Sequence, residues 1–413
     1  MTTPNGVLAG DIGMHEPPPR MAFVHRRDIY DQIVGVLLVI FLYFFLVGER
    51  LSGFPIPMRV EDFVFFLLVP LGYRYVPRKK TWLFWLIVGY FAVNIIPYLA
   101  SLLSGHWDLG PYPIIMFKEL QFFYVAYLVC ANRAWWVLST VDVLSAIIIG
   151  TGVRSIMRGD IDYYGIGTLG NYLAPSVAGA IYLFSTIWAH VRSKLIPWRM
   201  LRWIAFGGVL LGAICTLATV SRSSIGGIAV YFAVYLLLSN VYVFPAFMAG
   251  LGLSPALIQA AALSLSATYG YYAMRIMGRA KDFGASSGYR VSKWQYFLDG
   301  FQPIDWPFGR GKGYPNALDK TYGLGVDSQF VRTFVEEGIV GVVLTTLILW
   351  YMLVQIKKRG GETAHAWAVV MAMLVLCVPL EAMQLSKSGG YFWLLMFYLL
   401  MCQRRDTSPA QPR

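Results

Sequence analysis

Long apolar runs alternate with short polar connectors along almost the whole chain. They fall near 33–47, 62–74, 81–103, 113–130, 135–152, 172–189, 203–220, 225–239, 241–267, 329–354, 366–383 and 390–402. A run such as TWLFWLIVGYFAVNIIPYLASLL, Thr81 to Leu103, is long enough as a helix to cross a hydrocarbon core of about 30 Å. The pattern predicts an all-α integral membrane protein of about twelve transmembrane helices. It divides the chain into a polar N-terminal tail (1–32), spans 1–9 (33–267), one large loop (268–328), spans 10–12 (329–402) and a polar C-terminal tail (403–413). The N-terminal tail has no apolar stretch followed by small residues, so it reads as no secretory signal, and the run at 33–47 reads as a retained span.

Composition agrees. The 413 residues are 57% hydrophobic and 14% charged, with mean hydropathy +0.57, where a soluble domain carries about a quarter charged residues. The formal charge is +12, and the basic residues are not spread evenly. Alternate connectors hold Arg26–Arg27, then Arg74 with Arg78–Lys80, Arg133, Arg192 to Arg202, Lys357–Arg359 and Arg404–Arg405. The opposite set of short connectors holds Arg50, Arg59, Arg154, Arg158, Arg222 and Lys387. By the positive-inside rule both tails are cytoplasmic and the large loop lies outside.

That loop holds eight basic residues between Arg275 and Lys320 against four aspartates. A cationic surplus above a bilayer suits an anionic ligand, and lipid phosphates are the anions at that depth. Ordinary headgroup contact is the alternative for any one of these residues. Within the loop, SGYRVSKWQYFLDGF has helical periodicity and aromatic residues suited to an interface. GRGKG (309–313) lacks the spacing and terminal Lys-Ser/Thr of a nucleotide-binding P-loop; a backbone nest for another phosphate stays open. The four cysteines are scattered through apolar runs and read as core residues, and the five histidines suggest no site.

Charges also enter the spans. GVDSQFVRTFVEEGIVGVV, from Gly325, carries Asp327, Arg332, Glu336 and Glu337 into an apolar helix. Arg332 and Glu336 stand at i and i+4, an intrahelical pair that should face a polar cavity. Asp327 suits a general base and also a helix N-cap. Glu337 precedes Gly338 and Gly341, which permit close helix packing, and takes no role. Lys118 and Glu119 lie about one and a half turns into the fourth span. They point to different faces and need separate partners, so Lys118 either contacts a lipid phosphate or joins an ion pair.

Four segments in order resemble the O-antigen ligase/polymerase superfamily. GIGTLGNYLAPSVAGA is similar to its Gly-Thr-x-Gly-Asn element, SRSS (221–224) to its Ser-Arg turn, and GYRVSKWQYFLDGFQPIDWPFGRG to its Arg-x-x-x-Trp helix ending in Pro-x-x-Gly-x-Gly. DSQFVRTFVEEGIVG resembles its closing motif. The resemblance spans about Gly165 to Leu349 and implies a GT-C-like architecture in the bacterial inner membrane, acting at the periplasmic face. Lipopolysaccharide ligases open the closing motif with His, where this chain has Asp327, which moves the reading toward the polymerase branch.

The resemblance then implies polymerisation of undecaprenyl-pyrophosphate-linked oligosaccharide repeat units, inverting and metal-independent, with no cofactor. Asp327 would be the base. Arg222 and Arg290, at the motif positions, would hold pyrophosphate, followed by Arg154, Arg158, Arg310, Arg332 and Lys387, with Glu336 and Lys118 completing the substrate site. Donor and acceptor are both lipid-linked; a chain-length regulator and a flippase are candidate protein partners, membrane lipids surround the chain, and nucleic acid is not expected. A ligase passing the glycan to a lipid A core is the alternative enzyme. A transporter of anionic or lipid-linked solutes is the alternative class, and the halves show no convincing repeat of the kind transporters carry.

Overall fold

A computed structural model describes residues 29–47, 59–76, 81–103, 112–132, 134–158, 175–195, 199–219, 221–239, 295–299, 301–315, 328–377 and 387–401. Among them every regular element is helical. The long helices are α1 (Ile29–Val47), α2 (Val60–Gly72), α3 (Trp82–Leu103), α4 (Tyr112–Ala131), α5 (Trp135–Arg158), α6 (Pro175–Leu195), α7 (Arg199–Ala218), α8 (Arg222–Ser239), α9 (Gln329–Lys358), α10 (Thr363–Cys377) and α11 (Lys387–Met401). Each coincides with one predicted apolar run. The run at 241–267 and the loop up to 294 lie outside the described residues.

The exterior is apolar. Trp82, Trp85, Trp203, Leu210, Leu217 and Trp350 are all more than half exposed. An apolar surface of this extent belongs in lipid, and α3, α5 and α9 are long and apolar enough to cross it. At the centre α6 is buried from Ala178 to Trp188, as expected of a helix apolar on every side. Small residues let its neighbours approach: Gly212 of α7 faces Thr186, and Gly227 of α8 faces Leu183 on α6 and Ala372 on α10.

Contacts between helix ends sort the bundle into two ends. At one, Tyr75 bonds Asp31, Tyr127 donates to the Tyr75 carbonyl at 2.6 Å, and Trp136 donates to Gln32 at 2.7 Å. Arg192 joins that end through Asp142 and Tyr398, and Arg359 through the Leu400 carbonyl. These are the connectors of the basic set. At the opposite end Gly390 meets Phe45 and Gly179 meets Thr219 and Ser224; Ser328 there bonds the Cys377 carbonyl.

Two helices depart from expectation. The fifth span, expected to end near 152, continues as helix through Arg158, so Arg154 and Arg158 stand on a helix end rather than in a loop. No breaker intervenes before Gly159. The tenth span is not one straight helix: Gly338, at φ 64° and ψ −167°, breaks α9 in two. The part after the break, Ile339 to Lys358, is about 30 Å long at 1.5 Å per residue, a full crossing by itself.

Candidate functional site

The break at Gly338 leaves residues 329–337 as a half-helix whose last carbonyls have no partner in their own helix. GRGKG supplies the partners. The amide of Arg310 donates to the Val335 carbonyl at 2.8 Å and that of Gly311 to the Glu336 carbonyl at 2.9 Å. The amide of Gly313 donates to Glu336 Oε1 at 2.8 Å. Gly309, Gly311 and Gly313 all have positive φ, the backbone that turns successive amides the same way. The nest left open for a phosphate is thus filled by the protein's own helix terminus and carboxylate.

Charged side chains extend this junction into the bundle. Lys312 is fully buried and pairs with Glu337, with Glu119 of α4 at 3.1 Å and with the hydroxyl oxygen of Tyr90 on α3 at 2.9 Å. Tyr90 in turn donates to Glu337 Oε1 at 2.8 Å. Burial alone lowers the Lys312 pKa, but Glu119, Glu337 and Glu336 outweigh it and push it up to about 12. Arg332, also fully buried, donates from Nε to Glu336 Oε1 at 2.8 Å. Three carboxylates therefore meet two cations. A cavity bordered by Tyr90, Glu119, Gln329, Thr333, Glu337 and Trp393 opens beside them, the polar lining that intramembrane charges require.

The half-helix also carries a small apolar contact with the loop. Phe297, in a helical turn over 295–299, and Val335 are buried together against Leu298, Phe301, Tyr314 and Val331. Phe334 stacks on Phe301 with ring centres 5.8 Å apart. A single turn, Asp305–Phe308, leads into GRGKG. Its Asp305 accepts from Arg310 Nε at 2.9 Å, and Arg310 Nη1 donates to Tyr314 at 2.6 Å.

The expected site residues do not form one group. Arg310, Arg332 and Glu336 come together at the junction. Lys118 lies one residue from it, on the far face of α4, and pairs with Asp62 and, at 3.4 Å, with Glu61 of α2; of its two readings the structure shows the ion pair. Arg154 and Arg158 are exposed at the end of α5. Arg222 and Lys387 open α8 and α11 at the same end of the bundle. Ahead of Arg222 the Ser221 hydroxyl accepts from Ser224 Oγ at 3.0 Å. Asp327 and Arg290 lie outside the described residues. The N-cap of the half-helix is Ser328, one residue beyond the position that a capping role gives Asp327.

Glu337, Lys312, Tyr90 and Glu119 are central here and were not assigned from sequence. The available signal was that an ionisable residue inside a span must find a partner. What the pattern lacked was the break that turns Glu337 toward α3 and α4.

The fold and junction define a helical membrane protein with an ionic centre where α3, α4 and the broken α9 meet. Residues 207–346 match the family model described as O-antigen ligase, and this match over about a third of the chain supports the resemblance to the O-antigen ligase/polymerase superfamily, a family of glycosyltransferase-like enzymes. The matched stretch contains Arg222, Arg290, Arg310, Asp327, Arg332 and Glu336, and excludes Lys118, Arg154, Arg158 and Lys387. No curated protein matches the chain.

Proposed function

We propose that this protein polymerises polyprenyl-pyrophosphate-linked oligosaccharide repeat units at the periplasmic face of the bacterial inner membrane. It does so with about twelve spans and both tails in the cytoplasm. The observation that carries the reading is Asp327, at the position where the ligases have His, immediately before a half-helix locked in place by GRGKG. The alternation of basic connectors between the two bundle ends supports the orientation.

In the step proposed, a sugar hydroxyl of one lipid-linked unit attacks the anomeric carbon of the growing chain. The carbon–oxygen bond to pyrophosphate breaks, the hydroxyl proton passes to the Asp327 carboxylate, and polyprenyl pyrophosphate departs. Attack from the face opposite the leaving group inverts the anomeric centre. Arg222 and Arg290 meet the charge that develops on the leaving group, where bidentate charged donors have most effect. Asp327 serves as general base. Arg154, Arg158 and Lys387 hold lipid phosphate at the rim. Arg332, Glu336 and Arg310 keep the half-helix polar and rigid behind the base.

The ligase reading is favoured by the description of the matching family. Purified protein in nanodiscs, supplied with lipid-linked repeat units and a chelator, separates the two. Polymerisation yields a glycan ladder on a gel that disappears in Asp327→Ala and Arg290→Ala. Transfer that occurs once, and only after a core lipid is added, assigns the ligase. A ladder unaffected by Asp327→Ala removes that residue from the chemistry.

A further inference from the structure

We propose that Lys312 is a positioning residue: a buried cationic strut that fixes the half-helix of α9 against α3 and α4, and so sets Arg332 and the segment entering at Asp327, without touching substrate. The activity through which it is read rests on the function proposed above. Because Gly338 interrupts α9, the hydrogen-bond ladder of the spanning part cannot dictate where residues 329–337 point. Their direction has to come from lateral contacts.

Two sets of contacts meet at Lys312. Its flanking residues hold the half-helix from below: the amides of Arg310, Gly311 and Gly313 bond the carbonyls of Val335 and Glu336 and the Glu336 carboxylate. Its side chain then crosses to the rest of the bundle, with Glu337, Tyr90 and Glu119 around one ammonium group. Three acceptors match the three donors of the ammonium. Its own carbonyl accepts from Tyr98 of α3 at 3.4 Å. Lys312 thus pairs both with a carboxylate of α9 and with a carboxylate of α4.

Taking away its charge leaves Glu119 and Glu337 facing each other beside Tyr90, and like charges in a buried site separate. Neutralising Glu337 as well removes that repulsion and keeps an acceptor for Tyr90. A residue that positions is therefore rescued by Glu337→Gln, whereas one that binds pyrophosphate is not.

The test uses full-length protein in nanodiscs, comparing wild type, Lys312→Met, Lys312→Arg and Lys312→Met/Glu337→Gln. Two readouts are taken: glycan transfer, and the distance between spin labels at Phe330→Cys and Leu99→Cys in a Cys402→Ser background. Phe330 and Leu99 are exposed on α9 and α3, and Cys130, Cys215 and Cys377 are buried. We expect Lys312→Met to lower kcat at least tenfold with KM within threefold, and to broaden the distance distribution. The double variant should return both to within about threefold of wild type, and Lys312→Arg should hold the narrow distribution. A double variant as inactive as the single one, with KM raised, would make Lys312 a substrate ligand and overturn the proposal. So would an unchanged distance distribution in Lys312→Met. If wild type transfers no glycan, the functional reading fails while the distances still decide the strut. If Lys312→Met does not fold, the double variant decides, and its failure to fold assigns Lys312 to bundle stability instead.

Discussion

Gly338 and Gly309 meet back to back, each at positive φ, with no room between them. A β-carbon on Gly338 would come within 2.6 Å of the Gly309 amide nitrogen, and one on Gly309 would run into the main chain of Glu336. The contact joins the break in α9 to the loop that caps it, so the two glycines are one structural unit separated by 29 positions of sequence.

Gly338→Ala and Gly309→Ala are therefore each expected to destabilise the protein by about 1–3 kcal/mol from backbone strain alone, with the clash adding to it. Gly89→Ala and Gly150→Ala are the controls, because nothing lies within 4 Å of a β-carbon at either and alanine is the better helix former by up to about 1 kcal/mol. Thermal unfolding in detergent should show lower midpoints for the first pair and unchanged or higher ones for the second. Equal midpoints in all four would mean that the junction is not closely packed.

Much of the fold was legible because the membrane restricts spanning structure to a few forms. Runs of apolar residues gave the described long helices, and the basic connectors gave an alternation that the contacts around Asp31, Arg192 and Arg359 reproduce. The need of Lys118 and Glu119 for separate partners also followed from their adjacency. Less was legible at the junction. Hydropathy treats Gly338 as a small packing residue and carries no information on φ, so it gives Glu337 no role and GRGKG no partner but an outside anion. Its positive-φ glycines do present amides to an acceptor, but that acceptor lies within the chain.

Lys118 balances two acidic residues of α2. Glu61 and Asp62 are almost fully buried, and Asp62 also accepts from Gln121 at 2.8 Å. Removing one member of a buried pair costs about 3–5 kcal/mol because the other is left uncompensated. Lys118→Met should lower the yield of folded protein and its unfolding midpoint, and Lys118→Met/Asp62→Asn should recover more than half of the loss. If Lys118 instead binds lipid phosphate, the single variant keeps its midpoint and loses transfer.

Lys312 links charge to stability in a definite pH direction. Its pKa stands at about 12 in the folded protein, above the roughly 10.4 of an unstructured lysine. Its contribution is therefore complete below about pH 10 and is lost as pH rises through 12. The difference in unfolding midpoint between wild type and Lys312→Met should persist up to about pH 9.5 and shrink at more alkaline pH. A difference that already fades between about pH 7 and 9 is incompatible with a lysine held by Glu119, Glu337 and the Tyr90 hydroxyl.

The identity of the base can be read from the pH dependence of transfer. A carboxylate base is active once deprotonated, so the rate profile with Asp327 should carry an acidic limb set by that carboxylate. Asp327→Asn, which cannot accept the proton, should lower transfer by about 100-fold or more, the usual scale of general-base catalysis. Asp327→His restores a base of ordinary pKa about 6.5, the residue that ligases carry there. It should regain part of the activity with the acidic limb moved upward. A limb that stays in place in Asp327→His would assign the proton to another group. Glu336 is the first to test, since its carboxylate lies nine residues along the same half-helix and its Oε2 has no hydrogen-bond partner among the described residues.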